Sequence, residues 1–499
     1  MDQTMSANTQ STTVGELPTP TSTDSRVATA LTRLVWLLFA GSLGALAVRL
    51  ANGSGWEFAD LVAVDGLTVV MWVAVTFFSG IVHSYSKRYM AGSETIAQFF
   101  ARVFAFTLVV MVLVAADNVV LFGLAWLAMG LLMAGLIGHV EGWTQAQAAA
   151  TVARRYFLAS SAMLAVALAT LSVSTGTTTV SGIAANVATL PTTTILVAAG
   201  ALVLAAMLQS ALVPFHTWLL SSMTAPTPAS ALMHAGFVNA GGLLLVRFAP
   251  VVTVESGVML GIAVVGAASA VLGKLLKTVQ TDVKGILGCS TVGQMGFMIM
   301  QAGLGFFGAA ITHLILHGFY KAYQFLASGG QVDHEHPEPT ASAGSTGFVG
   351  IVTIVLTALA SGGLFAVLTG KGLALDSGLL LVGIVVLTVL HAARGVVSQA
   401  QLPTTVRYAA VPLVALPAIA VYAAVYTAIE GLVAGLPAVG YTAELTPIHG
   451  LLGVAFLAAY LAVESGLYTR STRLYVALLN ASTAPTDTLL TTTEDYNEY

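Results

Sequence analysis

Two histidines and a lysine recur at every fourth position of one apolar segment, as His313, His317 and Lys321. On an α-helix this spacing places the three side chains on one face, about one turn apart. Imidazole changes its charge near neutral pH, and desolvation brings a buried ammonium group toward the same range. Three such groups in a column could pass a proton, or another cation, from one to the next.

The residues around this column are almost all apolar, so the column is predicted to lie inside a membrane span. Ionisable side chains at that depth are costly and are more often functional than incidental. Two neutral histidines satisfied by backbone groups would be the structural alternative. Because three titratable groups share one face, the pattern favours a role in ion transport.

A second candidate region surrounds Pro214, in an apolar stretch too long for one straight helix. Proline interrupts a helix, and the freed peptide groups can hold water or an ion. His216 follows this break and Gln209 precedes it; a kink needed only for packing is the alternative. His234 lies on the first turns of the next span, and its alternative is a structural role.

Three further lysines are candidates for the ion path. Lys274 and Lys277 stand at the end of one span, either deep enough to join the path or as ordinary inner-face charges. Lys371 is flanked by glycines between two apolar runs and is predicted to lie within a second broken helix. Glu464, in the last span, is an additional candidate, although Tyr460 could satisfy its carboxylate.

Cofactor motifs are absent from the sequence. It holds no Walker A loop or Rossmann fingerprint, and its single cysteine excludes an internal disulfide or a cysteine-based cluster. His313 and His317 have the spacing of a zinc site, but the glutamate of the zincin motif does not follow His313. Adjacent side chains in the loop at 333–336 would converge poorly on zinc. We therefore expect no metal and no cofactor in this chain, and energy coupling through an ion gradient.

The composition explains where these groups must sit. Of the 499 residues, 57% are hydrophobic and 8% are charged, whereas a soluble domain carries roughly 25% charged residues. The net charge of −4 gives no sign of nucleic-acid binding. These values predict an all-α polytopic protein in a lipid bilayer.

Spans of about 20 apolar residues number about fourteen. They fall near 33–50, 62–86, 98–116, 119–139, 156–174, 193–223, 229–249, 251–272, 285–303, 306–330, 347–370, 376–396, 405–430 and 449–468. Two are predicted to be broken, the sixth at Pro214 and the eleventh at the Ser-Gly-Gly of 361–363. Broken helices in comparable places indicate inverted repeats with a site between them.

The distribution of Lys and Arg predicts the orientation. With the N-terminus inside, the inner face receives Arg26, Lys87, Arg88, Arg154, Arg155, Lys274, Lys277, Lys284, Arg394, Arg407, Arg470 and Arg473, and the outer face receives Arg49 and Arg247. We therefore expect a bacterial inner-membrane protein with both termini cytoplasmic. Residues 1–30 are predicted as a disordered tail, 31–470 as the transmembrane domain and 471–499 as a cytoplasmic segment. That last segment would hold a short amphipathic helix between 470 and 479, a candidate partner-binding surface, and then a disordered end.

Several motifs resemble the antiporter-like subunits of respiratory complex I and of the Mrp antiporters. They are VDGL at 64–67, PFHTWL at 214–219, APTPASALMH at 225–234 and KTVQTDVKGILGCSTVGQMGF at 277–297. The resemblance covers roughly residues 60–375. It implies an ion-transporting subunit of inverted repeats, not an enzyme.

Two departures from this family are informative. The family has a membrane glutamate just after the tryptophan of the span at 119–139, where this chain has Leu127 after Trp126. It has a lysine at the position of Gln209. The resemblance thus implies that the first half has lost its charged pair, whereas the second half keeps His313, His317, Lys321 and Lys371.

The sequence from GQMGF at 293–297 to HGFYKA at 317–322 is similar to one branch of the family, the membrane subunit of the DAB inorganic-carbon accumulation complex. That branch implies a large cytoplasmic partner, zinc-containing and related to carbonic anhydrases, in which cation flow drives CO2 hydration. The cation would pass Lys371, Lys321, His317 and His313 and leave near Lys274 and Lys277. A subunit of a redox-driven pump or of a Mrp-type antiporter is the alternative, and a membrane metalloenzyme is a third.

Overall fold

The computed structural model describes residues 22–53, 55–328, 347–397, 403–441, 443–484 and 488. The first ten helices are α1 Ser22–Asn52, α2 Gly66–Tyr89, α3 Ile96–Ala115, α4 Val119–Ile137, α5 Thr144–Thr175, α6 Val180–Asn186, α7 Thr192–Gln209, α8 Thr217–Ser221, α9 Thr227–Ala235 and α10 Ala240–Arg247. The next ten are α11 Ala249–Val252, α12 Ser256–Lys277, α13 Val283–Gly303, α14 Phe307–Leu326, α15 Phe348–Thr369, α16 Gly378–Val397, α17 Thr404–Val433, α18 Pro447–Glu464, α19 Leu467–Arg470 and α20 Thr472–Ala481.

Short elements complete the described chain. Three 3₁₀-helices cover Val187–Thr189, Ser222–Thr224 and Phe237–Asn239. Strands β1 Trp56–Phe58 and β2 Val62–Val64 form an antiparallel hairpin between α1 and α2, with Trp56 opposite Val64.

Twelve helices in the described ranges are long and apolar enough to cross a membrane, with α9 and α10 counted as one. This confirms an all-helical, multi-pass membrane protein. Neither α14 nor α16 is among the twelve. The histidines and lysine of α14 make it more polar, and the described apolar part of α16 is shorter, ending at Arg394. If both cross, the total is fourteen, and that number stays a prediction.

The predicted break at Pro214 is confirmed, because α7 ends at Gln209 and helix resumes only at Thr217. The second predicted break, at 361–363, is wrong: α15 runs without interruption from Phe348 to Thr369. A Cβ added at Gly362 would stand 2.5 Å from the Val386 side chain, so this glycine allows close packing of α15 on α16. A second interruption does occur, but at Phe237–Asn239, between α9 and α10.

Lys371 consequently lies in the connection after α15 and not inside a broken helix. Gly370, with φ of +70°, ends α15 in the left-handed conformation that glycine adopts without strain. Lys371 therefore stands at the end of two spans, where it can meet side chains from the ends of neighbouring helices.

Of the predictions for the two ends of the chain, one is wrong in part and one is confirmed. Helix α1 begins at Ser22, so residues 22–30 are helical, and the predicted tail is wrong for them. Arg26, Ala28 and Ala30 in this stretch favour a helix that continues into the first span. The predicted amphipathic helix near the C-terminus is present as α20. Residues 1–21, the loop at 331–344 and the last residues, 489–499, lie outside the described residues.

Small residues bring α12 and α13 into direct backbone contact. A Cβ added at Gly273 would stand 2.3 Å from the Gly293 amide nitrogen, and one at Gly296 would stand 2.4 Å from the Ala270 nitrogen. Such contacts are the usual way in which membrane helices pack tightly. This rigid pair carries Lys274 and Lys277 on its inner end, the end predicted to face the cytoplasm.

At the opposite, outer end, one ion pair joins three helices. Asp65 caps α2 by accepting a hydrogen bond from the Thr68 amide, and it pairs with Arg247 at the end of α10. The Arg247 guanidinium also donates to the Val114 carbonyl of α3 at 2.7 Å. Burial by itself would raise the pKa of Asp65, but Arg247 and the hydrogen bonds hold that pKa below its usual value. We infer that this pair has a structural role.

Candidate ion-conducting site

The predicted column lies on one face of α14. The His313 and His317 rings stack with centroids 5.8 Å apart. Nε2 of His313 and both ring nitrogens of His317 are buried without a protein hydrogen-bond partner. Lys321, one turn further, is fully buried and donates to the Leu287 carbonyl at 2.9 Å. The column thus combines unpartnered imidazole nitrogens with one buried amine.

His234 joins this column through α13. Its Nδ1 lies 2.9 Å from the Thr291 hydroxyl, which donates to the same Leu287 carbonyl that Lys321 uses. Its ring also stacks on Phe325 of α14, with centroids 4.4 Å apart. The structure therefore brings the predicted residues His234 and Lys321 together around one carbonyl oxygen.

A cavity of about 620 Å³ adjoins the column between α12, α13, α14, α16, α17 and α18. Its lining is mainly apolar, and its polar members include Lys274, Lys277, Gln294, Gln301, His313, His317, Tyr320, His391, Tyr422 and Tyr460. A space of this size and polarity can hold water molecules that bridge polar groups. The side-chain nitrogen and oxygen of Gln301 are also buried without a protein partner. The cavity thus connects the two histidines with the two lysines at the inner end of α12.

The outer end of this region carries a pair that sequence reasoning missed. Lys371 Nζ lies 2.9 Å from Glu430 Oε1, and the Tyr426 hydroxyl donates to the same oxygen at 2.9 Å. Tyr422, Tyr426 and Glu430 recur at every fourth position of α17, so they repeat the spacing of the α14 column. That spacing was the signal in the sequence that could have found them.

The positions along α14 give a different order of the candidate groups from the predicted one. The Lys371 ammonium lies 5.9 Å from the ring centroid of Phe306, the residue just before α14 begins. His313 is two turns into α14, whereas Lys321 is about two turns further. His313 is therefore nearer to Lys371 than Lys321 is.

The inner end holds a second charged group of side chains. Lys274 Nζ lies 2.9 Å from His391 Nε2, and His391 Nδ1 lies 2.7 Å from Glu464 Oε1. Arg394 pairs with the other oxygen of Glu464 at 2.6 Å. Glu464 therefore pairs with α16 and not with Tyr460 alone, and His391 is a residue that sequence reasoning missed.

His216, the candidate after the break at Pro214, contacts the C-terminal helix. Its Nε2 lies 2.8 Å from the carbonyl oxygen of Ala481 at the end of α20, and its Nδ1 is buried without a protein partner. Leu478 of α20 packs with Leu220 and Leu276 beside it. The C-terminal helix is thereby attached to the break after α7, and His216 meets α20 instead of the α14 column.

Comparison with known families covers much of this region. Residues 116–347 match the family model described as NADH:quinone oxidoreductase/Mrp antiporter, and residues 61–100 match that of the complex I chain 5 N-terminus. This chain belongs to the antiporter-like membrane subunits of complex I and the Mrp antiporters. The matched ranges hold His234, Lys274, Lys277 and the α14 column, but not His391, Glu430 or Glu464.

Curated relatives come from more than one branch of the antiporter-like family. A probable inorganic carbon transporter subunit DabB1 of Halothiobacillus neapolitanus is 40% identical over 278 residues, 54% of this chain and 50% of that protein. NADH-quinone oxidoreductase subunit L of Mycobacterium tuberculosis is 36% identical over 282 residues, 55% of this chain and 44% of that protein. A probable DabB subunit of Bacillus anthracis is 32% identical over 340 residues, 67% of this chain and 66% of that protein. This chain spans about half the length of the first of these relatives.

The antiporter-like fold is also seen in a solved structure. The Mrp complex of a Dietzia species matches 95% of this chain and 54% of its own matched chain, with a TM-score of 0.54 and 23% identity. This likeness supports the fold alone.

The first half of the antiporter-like bundle, α4 to α10, is neutral at the two positions noted above. Gln209 is fully buried and its amide has no protein partner. Beside Leu127, the Trp126 indole donates to Ser160 at 3.1 Å, and Ser160 donates to the Ala205 carbonyl at 2.9 Å. Around Trp126 and Ser160, hydrogen bonds between neutral groups therefore satisfy the buried side chains.

Within the described residues, no group of three or more His, Cys, Asp or Glu side chains is placed to hold a metal ion.

Proposed function

We propose that this chain is a cation-conducting, energy-coupling membrane subunit of a two-component inorganic-carbon accumulation complex, and that the cation is a proton. The observation that carries the proposal is the unpartnered His313–His317 pair beside a cavity with lysines at its inner end. Buried imidazoles without fixed partners can gain and lose a proton without breaking protein hydrogen bonds. The probable inorganic carbon transporter subunits among the relatives support the choice of complex.

The proton would start at the Lys371–Glu430 pair, since this pair stands at the outer helix ends and adjoins Tyr426. It would then reach the cavity and the imidazoles of His313 and His317. Gain or loss of a proton at Lys321 would change the net charge of the column. His234 is linked to Lys321 through Thr291 and the Leu287 carbonyl. Release would take place near Lys274 and Lys277.

The chemistry of the lining favours a proton over a metal cation. Hard cations are bound by several oxygen ligands. Here the titratable side chains on the cavity wall are mainly imidazoles and amines, which bind protons. The two nearby carboxylates, Glu430 and Glu464, already pair with Lys371 and Arg394.

The partner in this proposal is a large cytoplasmic, zinc-containing subunit related to carbonic anhydrases. Proton flow through this chain would drive CO2 hydration there in one direction, so the chain itself would carry no enzyme activity. The location in this proposal is the bacterial inner membrane, and the Lys and Arg distribution supports cytoplasmic termini.

Growth of a carbonic-anhydrase-deficient bacterial host at ambient CO2 tests this function. Co-expression of the chain with its partner subunit should restore growth, and Lys321→Ala should abolish the restoration although both proteins reach the membrane. Lys87→Ala, at an exposed lysine at the end of α2, is the matched control and should grow like the parent. Equal growth of the Lys321→Ala strain would overturn the proposal.

The alternative is a subunit of a redox-driven pump or of a Mrp-type antiporter, favoured by the complex I relative. Neutral Leu127 and Gln209 argue against it, because the first half then lacks a charged pair. Sodium-dependent proton movement in vesicles, or co-purification with quinone-reducing subunits, would support the alternative instead.

A further inference from the structure

Three helices converge at the inner end of the cavity. Lys274 comes from α12, His391 and Arg394 from α16, and Glu464 from α18. The last three residues lie beyond residue 347, where the larger family match ends. Their roles therefore have to be read from the geometry of this chain.

The two ring nitrogens of His391 face groups of opposite charge. Nδ1 faces the Glu464 carboxylate at 2.7 Å, and Nε2 faces the Lys274 amine at 2.9 Å. In a neutral imidazole, Nδ1–H donates to Glu464 and the free Nε2 accepts a hydrogen bond from the Lys274 ammonium. A doubly protonated ring would direct Nε2–H at Lys274, and that contact is a hydrogen bond only if Lys274 is neutral. The pair therefore accommodates one proton between two nitrogens.

We propose that Lys274 and His391 form the proton-releasing pair of the inner half, with His391 as the group that delivers the proton to the inner surface. In the transfer, the Nζ–H bond of Lys274 breaks and an Nε2–H bond of His391 forms, so no other reactant is needed. Glu464 stabilises the imidazolium, and Arg394 holds Glu464 in place. This proposal rests on the proposed function and names the residues of its last step.

The position of the pair suits release. Lys274 and His391 both line the cavity that His313 and His317 adjoin. The His391 side chain is also 44% exposed, close to Arg394 in the last turn of α16. Lys274 is half-buried and His391 is exposed, so a proton that passes from Lys274 to His391 moves to the more accessible group.

Other titratable groups near the pair shape its response to pH. The Tyr460 ring lies 6.4 Å from His391, centroid to centroid, and Lys277 lines the same cavity. The Glu464 carboxylate is in contact with the pair, and it also forms an ion pair with Arg394.

The test measures proton flux in proteoliposomes that contain the chain with its partner subunit, loaded with a pH-sensitive dye. His391→Gln should lower the flux at least about tenfold, because an amide cannot exchange the proton. The matched control is His139→Gln, at a histidine outside the path, which should keep the parental flux. His391→Ala should regain flux on addition of imidazole, whereas a purely structural role would show no such rescue.

Parental flux in His391→Gln would overturn this inference. If Lys321→Ala abolished flux in the same preparation, the proposed function would stand without the His391 step. If both variants kept parental flux, the proposed function would fail as well. Low flux in His391→Ala without imidazole rescue would assign His391 a structural role and would also overturn the inference.

Discussion

The α4–α10 half and the α12–α18 half of this protein treat buried polar side chains in opposite ways. In the first, Trp126 and Ser160 form a neutral hydrogen-bonded chain, and Gln209 has no partner. In the second, Lys371 pairs with Glu430, and a histidine pair adjoins a cavity. We infer from this difference that buried polar groups alone do not make an ion path. An ion path also requires titratable side chains beside a space that can hold water.

The sharpest way to break this comparison is to make the same kind of change in both halves. His317→Phe removes two ring nitrogens that have no protein partner, so it should lower proton flux by about 10³-fold without loss of stability. The matched change is Gln209→Met, which also removes a buried group without a partner and should leave both flux and stability at parental values. For both variants, assays in proteoliposomes measure the proton flux, and thermal unfolding in detergent measures the stability. Equal flux loss in the two variants would show that the halves conduct together.

A lysine introduced at position 209 in the first half should mainly lower the free energy of unfolding. Gln209→Lys buries an ammonium group where the Gln209 amide has no protein partner, and an unpaired buried charge destabilises by about 3 kcal/mol. The free energy of unfolding should fall by that amount, and flux should not rise. The double change Leu127→Glu with Gln209→Lys should recover part of the loss. A stable single variant with increased flux would contradict the comparison.

The outer pair should matter more for flux than for stability. Glu430→Gln leaves Lys371 without its carboxylate, and we expect flux to fall about tenfold. Since both side chains are partly exposed, the free energy of unfolding should change by at most about 1 kcal/mol. Lys371→Met combined with Glu430→Gln should restore stability but not flux. Restoration of flux in that double variant would remove the pair from the path.

The smallest functional effect is expected at Ser160. Ser160→Ala leaves the buried Trp126 N–H without its acceptor, which costs about 1–2 kcal/mol of unfolding free energy. Flux should not change, because no titratable group is involved. Trp126→Phe with Ser160→Ala should cost less than the sum of the two single changes, since the hydrogen bond between the two side chains can be lost only once. A flux change in Ser160→Ala would give the neutral half a role in conduction.

Local sequence information was sufficient for features set within one helix. The His313–His317–Lys321 column follows from helical periodicity, and the break at Pro214 follows from the chemistry of proline. The same periodicity places Tyr422, Tyr426 and Glu430 on one face, so this column was also within reach. The break predicted at 361–363 is wrong, because a glycine that permits close packing, as Gly362 does, and one that ends a helix look alike in a sequence.

Sequence alone was sufficient for the predominantly helical membrane character, the column on α14 and the uncharged residues at positions 127 and 209. These depend on hydropathy, on helix geometry and on residue identity at single positions. Only the tertiary structure decided which charges meet. Lys274 and His391 are 117 residues apart, and His391 and Glu464 are 73 apart, so their contacts depend on how α12, α16 and α18 pack. Packing of distant helices is set by the summed fit of many side chains, and no single segment contains that information.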